Sequence, residues 1–122
     1  MPGRIEEEND LNAKEKLIVA LDVDTQKEAE ELIAQLYDVV GYFKVGMQLY
    51  YSAGPGIIES IHKRGGKIFL DLKLLDIPNT VAHAACALTR YGVDILDLHA
   101  SGGKEMMSKA VETVHNEADS LG

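Results

Sequence analysis

Asp71 and Lys73 stand two residues apart at the end of an apolar run, and Asp76 follows three residues later. In an extended chain side chains alternate between faces, so Phe69, Asp71 and Lys73 share one face and Leu70 and Leu72 the other. A carboxylate and an ammonium at the end of a buried strand are costly to hold unless they pair. Such groups gather where chemistry needs fixed charge, although structural ion pairs take the same form. Neighbouring carboxylates favour the charged form of a lysine, so Lys73 between Asp71 and Asp76 is expected to stay protonated. A fixed ammonium of this kind stabilises developing negative charge and then donates a proton.

Other polar residues close apolar runs: Asp22, Lys44 and His99. Taken singly, each has an ordinary reading. Asp22 suits a solvated strand end, and Lys44 suits a lysine that snorkels to the surface. His99 shares a strand face with Asp97, which suits a structural hydrogen-bonded pair, so His99 is left out of the catalytic set. His62, His83 and His115 fall in helical stretches without a second ligand at metal spacing, and no metal site is expected. Gly102-Gly103-Lys104 precedes a helix and could cradle a phosphate. The Walker pattern is absent, and a plain strand-to-helix turn is the preferred reading.

The elements that must position these residues alternate. Leu17–Leu21 is apolar on both faces, as in parallel strands covered from both sides. Thr25 and Glu28 form a capping-box signature, followed by Ala29, Leu32, Ile33 and Leu36 at helical spacing. Tyr42–Gly46 is a second strand. Gly54-Pro55-Gly56 interrupts the chain before a helix with Ile57, Ile58 and Ile61. Lys67–Lys73 is the third strand. Val81, Ala84, Ala85 and Leu88 mark a third helix that stops at Gly92. Asp94–His99 is the fourth strand, and Met107, Ala110, Val111 and Val114 mark a fourth helix.

Four strand–helix units in alternation predict an α/β fold with a parallel sheet and right-handed crossovers. Asp22, Lys44, Asp71 and His99 are 22, 27 and 28 positions apart. That regularity suits a (β/α) barrel of the TIM type, whose chemistry sits at the C-terminal ends of its strands. A closed barrel takes eight units and about 250 residues, so residues 17–122 read as the N-terminal half, units 1 to 4. Residues 1–16 read as a polar leader with Glu6-Glu7-Glu8. The first and fourth strands of such a half are expected to be open edges that invite association.

The 122 residues carry a formal net charge of -8, which argues against nonspecific nucleic-acid binding. A small phosphorylated substrate stays compatible through a local cationic pocket. Cys86 is the only cysteine, so an intrachain disulfide is excluded and a reducing cytoplasm fits. Within a helical pattern it reads as a small core residue. No apolar stretch has the length of a membrane span.

Asp71-Leu72-Lys73-Leu74-Leu75-Asp76-Ile77-Pro78-Asn79-Thr80 resembles the signature of the orotidine 5′-phosphate decarboxylase family. The Asp-x-Lys-x-x-Asp core also occurs in sister enzymes acting on sugar phosphates, and Ile77-Pro78-Asn79-Thr80 narrows the match. The resemblance runs from about Leu17 to Val114. It implies decarboxylation of orotidine 5′-phosphate to UMP without cofactor or metal. It also implies catalytic roles for Lys44, Asp71, Lys73 and Asp76, with Asp22 on the ribose. Ile77 and Thr80 would reach across a homodimer interface, and Asp76 would enter the neighbouring subunit's site. Loss of CO2 leaves a carbanion on C6, which Lys73 would stabilise and protonate. The family's phosphate-binding arginine and pyrimidine-recognising residues come from the second half of its barrel. Alone, these 122 residues are expected to be weak or inactive, and a second copy or a complementary C-terminal half is the expected partner.

Three rival readings carry distinct expectations. A sugar-phosphate decarboxylase or synthase would need a metal. A noncatalytic fragment would fold by self-association. A phospho-receiver domain would use Asp22, Asp24 and Asp71 but needs a fifth strand and a partner lysine that the pattern does not supply.

Overall fold

The computed structural model describes residues 13–122, so most of the expected leader lies outside the described residues. Four strands form one sheet in the order β1-β2-β3-β4 and alternate with helices, as expected for four units of a (β/α) barrel. Two compact units divide the chain after Phe69.

The first unit holds β1 (Ile18–Ala20), α1 (Gln26–Leu36), β2 (Tyr42–Gly46), α2 (Met47–Ala53), α3 (Gly56–Lys63) and the start of β3 (Lys67–Leu74). β1 runs parallel to β2 with Ala20 opposite Lys44. Thr25 caps α1, its Oγ1 accepting the Glu28 N–H at 3.1 Å. The Glu28 carboxylate returns the bond to the Asp24 N–H, one residue earlier than a standard capping box. Leu21, Ala29, Ile33, Phe43, Val45, Leu49, Ile57, Ile58 and Ile61 are buried.

One expectation for this unit needs correction. β1 is not buried from both sides: Leu17 is 51% and Ile18 47% exposed. An apolar run records the environment a strand prefers, and among the described residues β1 pairs only with β2 along the sheet, as an open edge strand does. The unit also holds α2, an extra helix in a stretch for which the sequence reading names no element. It buries only Leu49, so it has no apolar stripe to reveal it, and it ends at Gly54 with φ 70.

The second unit holds the rest of β3, then α4 (Pro78–Arg90), β4 (Ile95–Leu98), a 3₁₀ turn (Ala100–Gly102) and α5 (Lys104–Leu121). Pro78 occupies the first turn of α4, where its missing N–H costs nothing. Helices α4 and α5 pack through Val81, Met106 and Ala110, joined by Leu74, Leu98 and Met107. Arg90 Nε donates to Glu117 Oε1 at 2.8 Å across the same pair. The core register differs by one residue from the sequence reading. Met106 is the fully buried anchor of α5, while Met107 is half-buried and Val111 is 48% exposed. On α4, Ala82 is buried and Ala84 is half-buried. Cys86 is also half-buried rather than a core residue, and Arg90 Nη2 lies 3.6 Å from its sulfur.

Gly102 stands where a side chain would meet Met106. A Cβ built there collides with the Met106 thioether and comes within 3.2 Å of a Leu75 methyl. Met106 is fully buried and has little room to yield. Gly102→Ala is expected to lower stability by about 1–3 kcal/mol, the usual cost of overpacking, read from urea unfolding. A change within a few tenths would mean that Met106 repacks freely.

Candidate active site

The end of β3 in the second unit carries the charged residues singled out in the sequence. Asp71 is the one charged residue buried among the described residues. The Lys73 ammonium reaches its Oδ1 at 2.8 Å. The lysine side chain keeps 54% of its surface exposed, against 11% for the aspartate. An ion pair open to water on one side adds little to stability, whereas an ammonium anchored on a buried carboxylate is held in a defined place.

The route to this pairing differs from simple strand alternation. Lys73 has φ 51, the only positive value among the described non-glycine residues. A left-handed conformation costs a residue with a Cβ roughly 1–2 kcal/mol. Strain of this kind gathers at functional sites and persists when the surroundings hold it.

Asp97 on β4 supplies part of that hold, and it was not among the residues chosen from the sequence. Its Oδ1 accepts the Lys73 backbone N–H at 3.0 Å, and its carboxyl group is hydrogen-bonded to Asp71. Burial pushes the Asp97 carboxyl above the usual 3.8 of an aspartate, and the bond to Asp71 pushes it further. The Lys73 N–H and ammonium act in the opposite direction. The expected Asp97–His99 pair is not what forms: His99 Nδ1 turns to Ser101, 3.2 Å from its N–H and 2.7 Å from its hydroxyl. The signal for Asp97 was a carboxylate inside the short apolar strand Ile95-Leu96-Asp97-Leu98.

The raised Asp97 carboxyl sets a pH dependence. A carboxyl that titrates higher in the fold than in the open chain binds more protons when folded. Its contribution to stability is therefore complete below the unfolded value and is lost as pH rises through the folded one. Asp97→Asn is expected to remove this loss of stability above about pH 3.8 while retaining an oxygen acceptor. Urea unfolding between pH 3 and 7 checks it: the wild-type-minus-mutant difference should drift against the wild type as pH rises. A flat difference would contradict it.

Asp76 Oδ1 accepts the Ile77 N–H at 2.6 Å at the entrance to α4. Ile77 is 65% exposed and Thr80 is also exposed. Asp22 and Lys44 belong to the first unit. There the Leu21 N–H donates to the Lys44 carbonyl at 2.9 Å, which places Asp22 just past the end of β1 beside the strand that carries Lys44. Asp22 is exposed and Lys44 half-buried. A cavity of about 320 Å³ in the second unit is lined mainly by Ala85, Leu96, Leu98, Ala110 and Val114. Thr89, Asp94 and His115 also line it, and none of Asp71, Lys73 or Asp97 does.

Residues 15–120 match the family model described as orotidine 5′-phosphate decarboxylase / HUMPS family. The chain belongs to this family. It is 50% identical over 111 residues to a protein from Syntrophomonas wolfei named orotidine 5′-phosphate decarboxylase, covering 91% of this chain and 46% of that one. A protein of the same name from Moorella thermoacetica is 49% identical, covering 91% and 44%. The crystal structure of orotidine 5′-phosphate decarboxylase from Lactobacillus acidophilus aligns with a TM-score of 0.72 and 42% identity, over 80% of this chain and 44% of that one. An uncharacterized conserved protein from Geobacillus kaustophilus aligns with a TM-score of 0.75 and 44% identity. The chain spans about half the length of the curated relatives it matches. Within the family, the pair at the end of β3 becomes the natural candidate for its charged catalytic group.

Proposed function

We propose that this chain carries the catalytic charges for decarboxylation of orotidine 5′-phosphate to UMP, without cofactor or metal. The observation that carries the reading is the Lys73 ammonium held 2.8 Å from buried Asp71, within a chain about half identical to proteins named for that reaction. Departure of CO2 leaves an electron pair on C6 of the pyrimidine. The adjacent ammonium stabilises that charge and delivers a proton to the same carbon. By resemblance to the family, catalytic roles also fall to Lys44 and Asp76, and the ribose contact falls to Asp22. The exposed Ile77 and Thr80 suit residues that act across a homodimer interface, and Asp76 acts there with them. A complementary C-terminal half is the alternative partner. The setting is the cytoplasm, in pyrimidine nucleotide synthesis.

Ligand binding tests the reading separately from turnover. UMP titrated into the chain mixed with the C-terminal half of a family relative should release heat, and Asp22→Ala should weaken binding by about tenfold, the loss of one hydrogen bond to a charged group. Absence of binding in a folded mixture that associates would count against a nucleotide site.

A further inference from the structure

Asp97 acts on Lys73 directly and through its counter-ion. Its Oδ1 takes the Lys73 backbone N–H at 3.0 Å, the bond being made by the one described non-glycine residue with a positive φ. Its carboxyl group also bonds Asp71, the residue that receives the Lys73 ammonium at 2.8 Å. The main chain of Lys73 and the counter-ion of its side chain are thus gripped by the same group. A strand-end N–H can be satisfied by water, in which case this hold on the left-handed turn against relaxation to the extended region would be lost. We propose that Asp97 is a positioning residue, which fixes the backbone turn at Lys73 and so keeps the ammonium on Asp71. Only an oxygen acceptor at this place is needed, so asparagine should serve nearly as well as aspartate. The inference rests on the reading of Asp71 and Lys73 as the catalytic pair, but its test does not depend on turnover.

The test is amide hydrogen exchange in the ¹⁵N-labelled full chain, comparing wild type, Asp97→Ala and Asp97→Asn. The Val81 N–H, bonded to the Ile77 carbonyl at the start of α4, reports on the fold. In Asp97→Ala the Lys73 amide should exchange at least about tenfold faster, as loss of one charge-assisted hydrogen bond allows, with Val81 unchanged. Asp97→Asn should restore protection to within about threefold of wild type. The Lys73 amide shift should follow the titration of Asp97, which faces Asp71 and Lys73 on β3, and should be flat with pH in Asp97→Asn. A purely structural role would move neither the shift nor its rescue. Equal Lys73 protection in wild type and Asp97→Ala, or asparagine behaving like alanine, would overturn the proposal. If Asp97→Ala does not fold, a wild-type Lys73 amide insensitive to pH across the Asp97 titration overturns it as well. Protection lost with alanine and regained with asparagine in a chain without turnover would uphold the positioning role and count against the decarboxylase reading alone.

Discussion

Lys73→Ala is expected to reduce decarboxylation by about 10⁴-fold in any preparation of this chain that turns over orotidine 5′-phosphate. The estimate combines two losses. Removing one preorganised electrostatic group costs about 10²–10³ in rate, and removing a positioned general acid costs about 10²–10⁴. The two overlap in one ammonium, so their product, about 10⁴–10⁷, overstates the loss and a value at its lower end is expected. Stability should fall much less, by about 1–3 kcal/mol, the cost of leaving a buried acceptor without its partner. The half-exposed lysine end contributes little by itself. Rates under saturating substrate, measured beside urea unfolding of the same samples, separate the two effects. A mutant within tenfold of wild type would remove Lys73 from the mechanism.

Phe43→Ala should produce the largest loss of stability. Phe43 lies on β2 immediately before Lys44 and is fully buried. Its ring packs so close to Gly66 that a Cβ there would stand 3.2 Å from a ring carbon. Deleting a core phenylalanine costs about 3–5 kcal/mol through lost transfer energy and the cavity left behind. Total stabilities of domains are about 5–15 kcal/mol, so much of the first unit's cooperativity is at stake. Circular dichroism through a urea titration should show the midpoint falling sharply. A shift worth less than about 1 kcal/mol would mean that Ile61 and its neighbours close the cavity.

Much of the fold was legible because burial leaves a period in the sequence. Ala29 and Ile33, then Val81, Ala85 and Leu88, recur at helical spacing and are buried in α1 and α4. Thr25 announced the cap it makes. Helix α2 left no such trace, since a single buried Leu49 defines no stripe. In α5 both Met106 and Met107 fit an apolar face, and only packing against Val81 selects Met106. The Asp71–Lys73 pair was legible from spacing and type. The left-handed turn at Lys73 was not, because lysine carries no preference for it. Asp97 was visible as a misplaced carboxylate but was assigned to His99, since strand alternation reports which face a residue shares and not which neighbour across the sheet it meets. That partner, the Lys73 N–H, is 24 residues away in sequence.

The central claim is that the charges at the end of β3 decarboxylate orotidine 5′-phosphate. Its most direct test is release of labelled CO2 from carboxyl-labelled orotidine 5′-phosphate by the purified 122-residue chain, alone and mixed with the C-terminal half of a family relative. Lys73→Ala serves as the control. Weak or no release from the chain alone, clear release from the mixture, and its disappearance with the mutant are predicted. Two halves that fold and associate yet release no CO2, or release it equally with Lys73→Ala, would contradict the account.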